Sequence, residues 1–320
     1  MIALQAVLVA MLTLLVTSGG AQVVAPVTDG APAVTALPED PLVAPDDTGR
    51  LQPVGRFVPF QPDPPDAGHL DWAPLVRPIA EPFFVMFTNP VNDGEIIEGD
   101  ALRVTWRTGG PVASVRMYYE YENCRLAGRF RGSVGKVIAG TKLPNTGEHT
   151  WTIPWMDTYR LRLRIAAYDA DGGLIDSEEI GLQYRPNELR DLSPTAIGIV
   201  KSRQRLYYFE GGKIKRMHIV STAMPGYWTP FMEPGSTDRR RGRMGQVFSK
   251  SGNAWSRRYE CWMPYWMAIT SSGSHGIHAT SSPFYHRLGR PASHGCVRQH
   301  RADARKLFKL VNVGTPVYVR

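Results

Sequence analysis

The chain has 320 residues, 43% hydrophobic and 21% charged, which supplies apolar material for two domain cores and excludes a disordered or collagen-like chain. Its net charge of +8 is unevenly held: residues 190–320 carry 22 Lys/Arg against 6 Asp/Glu, whereas residues 1–189 carry 15 against 23. The three cysteines, Cys124, Cys261 and Cys296, exclude a disulfide-dense scaffold, and the odd count leaves at least one thiol unpaired.

Residues 2–16 form an apolar run, followed by Gly19 and Ala21 in a small-x-small arrangement. This predicts a signal peptide over 1–21 and an exported, periplasmic or wall-associated protein. The run is short for a membrane span, and no Lys or Arg precedes it, the first basic residue being Arg50. Residues 22–82 are rich in Pro, Ala, Asp and Val and lack periodicity, which predicts a disordered tether.

Over 83–187 the texture changes to alternating runs at 102–106, 115–121, 150–153 and 161–168, with turn signals at 92–94, 109–110, 145–147 and 171–173. Period-two strands at this spacing predict a small antiparallel β-sandwich. The segment resembles Ig-like or fibronectin-like modules, and that resemblance implies a spacer or protein-binding role and no chemistry.

From 193 to 320 the chain again reads as β. Strands are expected at 196–200, 205–209 and 213–220, and a closing strand at 315–320. Between them, Ala304, Leu307, Phe308 and Val311 share one face of a single helix over 302–311, with Asp303 in its first turn.

The chemistry-bearing residues are concentrated in this last segment. Five of the eight histidines, His275, His278, His286, His294 and His300, surround Cys296. A thiolate can attack a carbonyl, an imidazole can take its proton, and backbone N–H groups can receive the oxyanion. Gly295 and Cys296 offer such amides, and Gly295 leaves room for substrate. His278 lies 18 residues before Cys296, far enough to sit on a separate returning strand. Arg298 can hold a carboxylate or an amide oxygen.

His278, a gap of 14 residues and then Ser293-His294-Gly295-Cys296-x-Arg298 resembles the signature of the L,D-transpeptidase (YkuD-type) catalytic domain. Residues 220–230, 263–267 and 314–317 are similar to that family's flanking strands. The resemblance implies a β-sandwich catalytic fold with one prominent helix and peptidoglycan stem peptides as substrate. It implies Cys296 as nucleophile and His278 as base, oriented by a backbone carbonyl. Ser293, His294 and Gly295 would support the site and Arg298 would bind substrate. Neither metal nor cofactor is required. The acceptor would be a second stem peptide, a lipoprotein lysine or water. The sequence departs from the family after Thr229 and Pro230, where residues 231–235 replace a glycine-containing hairpin and Asp238-Arg239-Arg240-Arg241-Gly242-Arg243 follows.

Other readings stay open. His275, His278, His294 and Cys296 include residue types that bind zinc. L,D-carboxypeptidase or amidase activity, or an inactive wall-binding module, fits the same text. The basic half has no nucleic-acid motif beside it, so an anionic polymer outside the cytoplasm suits it better. Cys261 is read as buried, as a disulfide partner of Cys124, or as a redox neighbour of Cys296. Trp228, Trp255, Trp262 and Trp266 are read as cleft lining or, for two or more of them, packed core.

Overall fold

The computed structural model describes residues 82–140 and 142–320. The expected signal peptide, and the expected tether apart from Pro82, lie outside the described residues.

Nine strands run from Phe84 to Arg185: β1 (Phe84–Asn89), β2 (Glu95–Ile97), β3 (Ala101–Gly109), β4 (Ser114–Glu122), β5 (Ser133–Val137), β6 (Leu143–Pro144), β7 (Glu148–Thr152), β8 (Arg160–Tyr168) and β9 (Leu174–Arg185). One sheet has the order β1-β3-β7; the other runs β2-β9-β8-β4-β5, with β6 added to β4. Period-two alternation builds the core between them. Val115, Met117 and Tyr119 of β4 and Leu161, Leu163 and Ile165 of β8 cluster with Val104, Trp106 and Trp151 of the smaller sheet. The pairing departs from an all-antiparallel sandwich at one place. β2 pairs in parallel with β9 at the sheet edge, because the chain leaves β2 for the other sheet instead of turning back beside it.

The second half contains β10 (Ala196–Val200), β11 (Arg205–Glu210), β12 (Lys213–Ser221), β13 (Thr237–Asp238), β14 (Gly242–Ser256), β15 (Cys261–Thr270), β16 (Gly276–Ala279), β17 (Val297–Gln299), α1 (Arg301–Leu310) and β18 (Val317–Val319). Instead of two separate sheets, these strands follow one path, β13-β14-β15-β16-β17-β12-β11-β10-β18. The sheet bends into a half-barrel until its last strand approaches β14. There the Val247 N–H donates to the Thr315 carbonyl at 2.9 Å and the Gly314 N–H to the Val247 carbonyl at 2.8 Å. The fold is mostly β with a single α-helix among the described residues. Helix α1 closes the half-barrel, with Leu307 and the following Val311 fully buried against Ile277, Val297 and Met267. Its N-terminus is capped by His300, whose Nδ1 accepts the Ala302 N–H at 3.2 Å.

The two β units share a third core. Cys124, from the first unit, packs with Leu189, Tyr207, Phe209 and Ile214, and its Sγ–H reaches the Met217 carbonyl at 3.6 Å. Beside it, Asp157 accepts from Arg205 Nε and Nη2, both at 2.7 Å, and from Arg131 at 3.2 Å. The side chains of Arg205 and Asp157 are only 8% and 10% exposed. All three cysteines are free. Burial pushes the Cys124 thiol up to about 12, so it is an inert packing group. Cys261 is exposed at the start of β15, which corrects the expectation of burial.

A buried guanidinium without its carboxylate retains the cost of desolvation and loses its compensation. Asp157→Ala is therefore expected to lower the unfolding free energy by about 3–5 kcal/mol in urea titrations. A loss under about 1 kcal/mol would contradict the pairing.

Candidate functional site

The site is set by one parallel strand pair. β16 and β17 align Ile277 with Val297 and His278 with Arg298. Ile277 and Val297 are fully buried in the half-barrel core. Alternation along each strand then places Gly276, His278, Cys296 and Arg298 on the opposite face. The 18-residue separation of His278 and Cys296 is realised as neighbouring strands rather than as a hairpin.

His278 is 7% exposed, and its Nδ1–H donates to the Ala279 carbonyl at 2.9 Å. A carbonyl only accepts, so this bond fixes the neutral tautomer and leaves the Nε2 lone pair free to take a proton. Burial holds the imidazole down to about 4, with the Ala279 bond opposing and the Arg298 guanidinium reinforcing the shift. Burial also raises the Cys296 thiol, against a backbone hydrogen bond from Gly276 and the charge of Arg298. At neutral pH the pair is therefore a thiol beside a neutral base rather than a preformed thiolate–imidazolium pair.

Trp266 of β15 roofs this face. Its ring centroid lies 5.8 Å from that of His278, and a Cβ added at Gly276 would fall 2.4 Å from the ring. Position 276 must therefore be glycine for indole and imidazole to pack together. Trp266 is buried, whereas Trp228, Trp255 and Trp262 are 48%, 48% and 59% exposed. The expectation of two or more core tryptophans in this group fails. β14 and β15 extend as a hairpin beyond the core, and Trp255 and Trp262 form its direct cross-strand pair.

The turn before Cys296 is held from beneath. Ser293, expected to support the site, is fully buried, and its Oγ accepts the Gly295 N–H at 3.1 Å. That amide is occupied, which removes Gly295 N–H from the expected oxyanion donors. Gly295 has φ +135°, and a Cβ there would meet His275 Nε2 at 2.8 Å and the Trp228 carbonyl at 3.2 Å. The glycine is required by backbone conformation and by these neighbours. The Thr229 hydroxyl donates to the Gly295 carbonyl at 2.7 Å.

His275 completes the support. Its Nε2–H donates to the Trp228 carbonyl at 3.1 Å and its Nδ1 accepts from the Ser274 hydroxyl at 3.1 Å. Both ring nitrogens are engaged, so His275 positions the 228–229 segment against the turn. Among the described residues no three His, Cys, Asp or Glu side chains gather as a metal site. His294 stands at the rim. It stacks on Tyr259 at 4.8 Å and meets Tyr227 edge-on at 4.4 Å. Arg298 donates to the Ala292 carbonyl at 3.2 Å and lies close enough to Cys296 and His278 to influence both. His286 lies on a short 3-10 turn, and His300 caps α1; the structure brings neither into this group.

Sequence reasoning does not place Tyr227, Tyr259 or Gly276 on this face, and leaves Trp266 open between cleft lining and core. The usable signal was the concentration of aromatic residues at 227–228 and 255–266, which the turn residues of the β14–β15 hairpin separate into two arms.

Residues 194–319 match the model of the YkuD family, the L,D-transpeptidase catalytic domain. This segment is an L,D-transpeptidase catalytic domain of the YkuD type. No curated protein matches the chain. Among solved structures, the catalytic domain of an Enterococcus faecium L,D-transpeptidase is 23% identical, covering 40% of this chain and 98% of its own, with a TM-score of 0.32. An L,D-transpeptidase from Mycobacterium smegmatis is 14% identical over 75% of this chain and 99% of its own, with a TM-score of 0.34. The E. faecium domain acylated by ertapenem is 24% identical over 41% of this chain and 99% of its own, with a TM-score of 0.32.

The depressed imidazole has a measurable consequence. An unfolded histidine titrates near 6.5 and the folded His278 near 4, so between these values only the unfolded state takes up the proton. The stability associated with His278 is complete above about pH 6.5 and falls as pH drops through about 4. Urea unfolding of wild type and His278→Gln across this range should show the wild type losing ground as pH falls. A wild type that gains on the variant would contradict the assignment.

Proposed function

We propose that the chain is an exported peptidoglycan L,D-transpeptidase working through an acyl-enzyme on Cys296. The L,D-transpeptidase family acts on peptidoglycan peptides. The observation that carries the reading is the juxtaposition of Cys296 and His278 on one face of adjacent parallel strands, with His278 Nδ1–H tied to Ala279.

In this mechanism Cys296 Sγ attacks the carbonyl carbon of the third-position residue of the stem peptide as its proton passes to His278 Nε2. The Cys296 N–H donates to the oxyanion. The bond from that carbonyl to the following D-alanine nitrogen breaks, and the imidazolium returns its proton to the departing amine. An acceptor amine then attacks the thioester, gives up a proton through His278, and releases the thiol. A second stem peptide or a lipoprotein lysine supplies that amine; water in its place gives carboxypeptidase activity. Arg298 binds the substrate and the His294–Tyr259 stack borders it. Because thiol and imidazole both start neutral, the proton moves as the carbon–sulfur bond forms. The excess of Lys/Arg over Asp/Glu in 190–320 favours an anionic wall environment and a periplasmic or wall-associated location.

Incubation with defined muropeptides, followed by mass spectrometry, tests this. Wild type should release D-alanine and form cross-linked or trimmed product. Cys296→Ala should be folded and inactive, and His278→Ala should be slower by roughly 10²–10⁴-fold. Turnover by Cys296→Ala would remove the nucleophile assignment.

Alkylation supplies an independent check on the thiol. With its ionisation raised above the ordinary 9.0, Cys296 should react with iodoacetamide at a rate still climbing above pH 9. A plateau reached near pH 7 would indicate a preformed thiolate instead.

A further inference from the structure

The basic run at 238–243, where the sequence departs from its family, becomes the turn between β13 and β14. Asp238 organises it. Its Oδ1 accepts the Arg240 and Arg241 N–H groups, both at 2.9 Å, and Arg241 Nη1 at 3.3 Å. The Arg241 guanidinium also lies over the Trp228 ring at 4.8 Å. The Arg241 carbonyl accepts from Ser271 Oγ and from the Ser272 N–H, each at 3.4 Å. Gly242, at φ +69°, lets the backbone pass Ser271, whose Oγ would lie 2.4 Å from an added Cβ. The turn is thus pinned on two sides before any ligand arrives, which lowers the cost of binding one.

Arg239 and Arg240 project from this fixed turn and are exposed. Neither has a carboxylate partner among the described residues. The nearby acids are engaged: Asp238 with Arg241, and Glu233 with Arg320 at 2.8 Å. Trp228, Asp238, Arg239, Arg240 and Arg241 line one depression. Of these residues, Trp228 ties the depression to the turn that carries the candidate nucleophile. The Trp228 carbonyl is held by His275, and the adjacent Thr229 hydroxyl bonds the Gly295 carbonyl at 2.7 Å, one residue before Cys296. Two unpaired guanidinium groups beside an acylation site match a carboxylate, which can accept two charge-assisted hydrogen bonds from them.

We propose that the Asp238–Arg241 turn is a subsite for a peptide carboxylate, with Arg239 and Arg240 as its donors and Arg241 as the residue that positions the turn on Trp228. The proposal rests on the peptide-acylation reading of Cys296. It makes the reacting peptide an anionic one whose free carboxylate lies on the Trp228 side of the nucleophile. That carboxylate belongs either to the donor, on the residue that leaves, or to the acceptor; the chemistry of recognition is the same.

The full-length protein with Arg239→Gln and Arg240→Gln together is the test, compared with the double Lys variant. Donor tetrapeptides ending in a free carboxylate or in an amide are supplied without acceptor, and formation of the acyl-enzyme is followed by intact mass. Removing two charge-assisted bonds should raise the KM for the carboxylate donor about tenfold or more, with kcat within about twofold. The amide donor should not respond, and the Lys variant should recover part of the loss. If only the later transfer step responds, and only to a carboxylate-bearing acceptor, the subsite holds the acceptor's carboxylate. Equal KM values in wild type and the Gln variant, with transfer unchanged, overturn the subsite while leaving the acylation reading intact. Failure of the wild type to be acylated by either donor overturns that reading and the subsite with it.

Discussion

The parallel register of β16 and β17 is the constraint on which the site depends. A strand shows alternate residues to opposite faces, so a slip of one position would move His278 into the half-barrel core and Ile277 out of it. Burial of Ile277 and Val297 opposes that slip, as does the closure of α1 over them. The core therefore fixes the direction of His278 and Cys296 although neither belongs to it. Helix α1 starts just after β17, its first turn capped by His300, so the strand that directly follows Cys296 is anchored at its far end.

Around this register, most of the neighbouring polar groups support the backbone. Ser293, Thr229 and His275 each satisfy a main-chain group, and together they hold the turn at Gly295 in a conformation that suits glycine. The low basicity of His278 and the raised ionisation of Cys296 share their largest cause, burial. The folded His278 imidazole is therefore neutral over the whole neutral range and takes up a proton only as pH falls toward about 4.

Much of the site was legible because its residues are close together in the chain. The Ser293–Arg298 text and the spacing back to His278 are local, and a sequence reading can place them on two strands. The roof and the rim were not legible in the same way. Trp266 reaches His278 only because β15 pairs with β16, and Tyr259 meets His294 only because the β14–β15 hairpin extends past the core. How Ser293 supports the site, fully buried beneath the turn with its Oγ on the Gly295 N–H, follows from the fold of the turn rather than from its neighbours in sequence. In the first β unit, β3, β4, β7 and β8 announced themselves by alternation, while β2 and the partly polar first half of β9 did not. The parallel β2–β9 pair joins residues about ninety positions apart and leaves no local signal.

The two β units are joined through buried groups rather than by a linker alone, with Arg205 on Asp157 and Cys124 among Tyr207 and Phe209. The first unit thereby braces the β11–β12 side of the sheet that carries the site. The most direct test of the account is the position of the covalent intermediate. The protein is incubated with a stem tetrapeptide in the absence of acceptor, quenched in acid, digested and mapped by tandem mass spectrometry. The account predicts a tripeptidyl thioester on Cys296, lacking the terminal D-alanine. An adduct confined to Cys261 or Cys124, or D-alanine release with no thioester at Cys296, would contradict it.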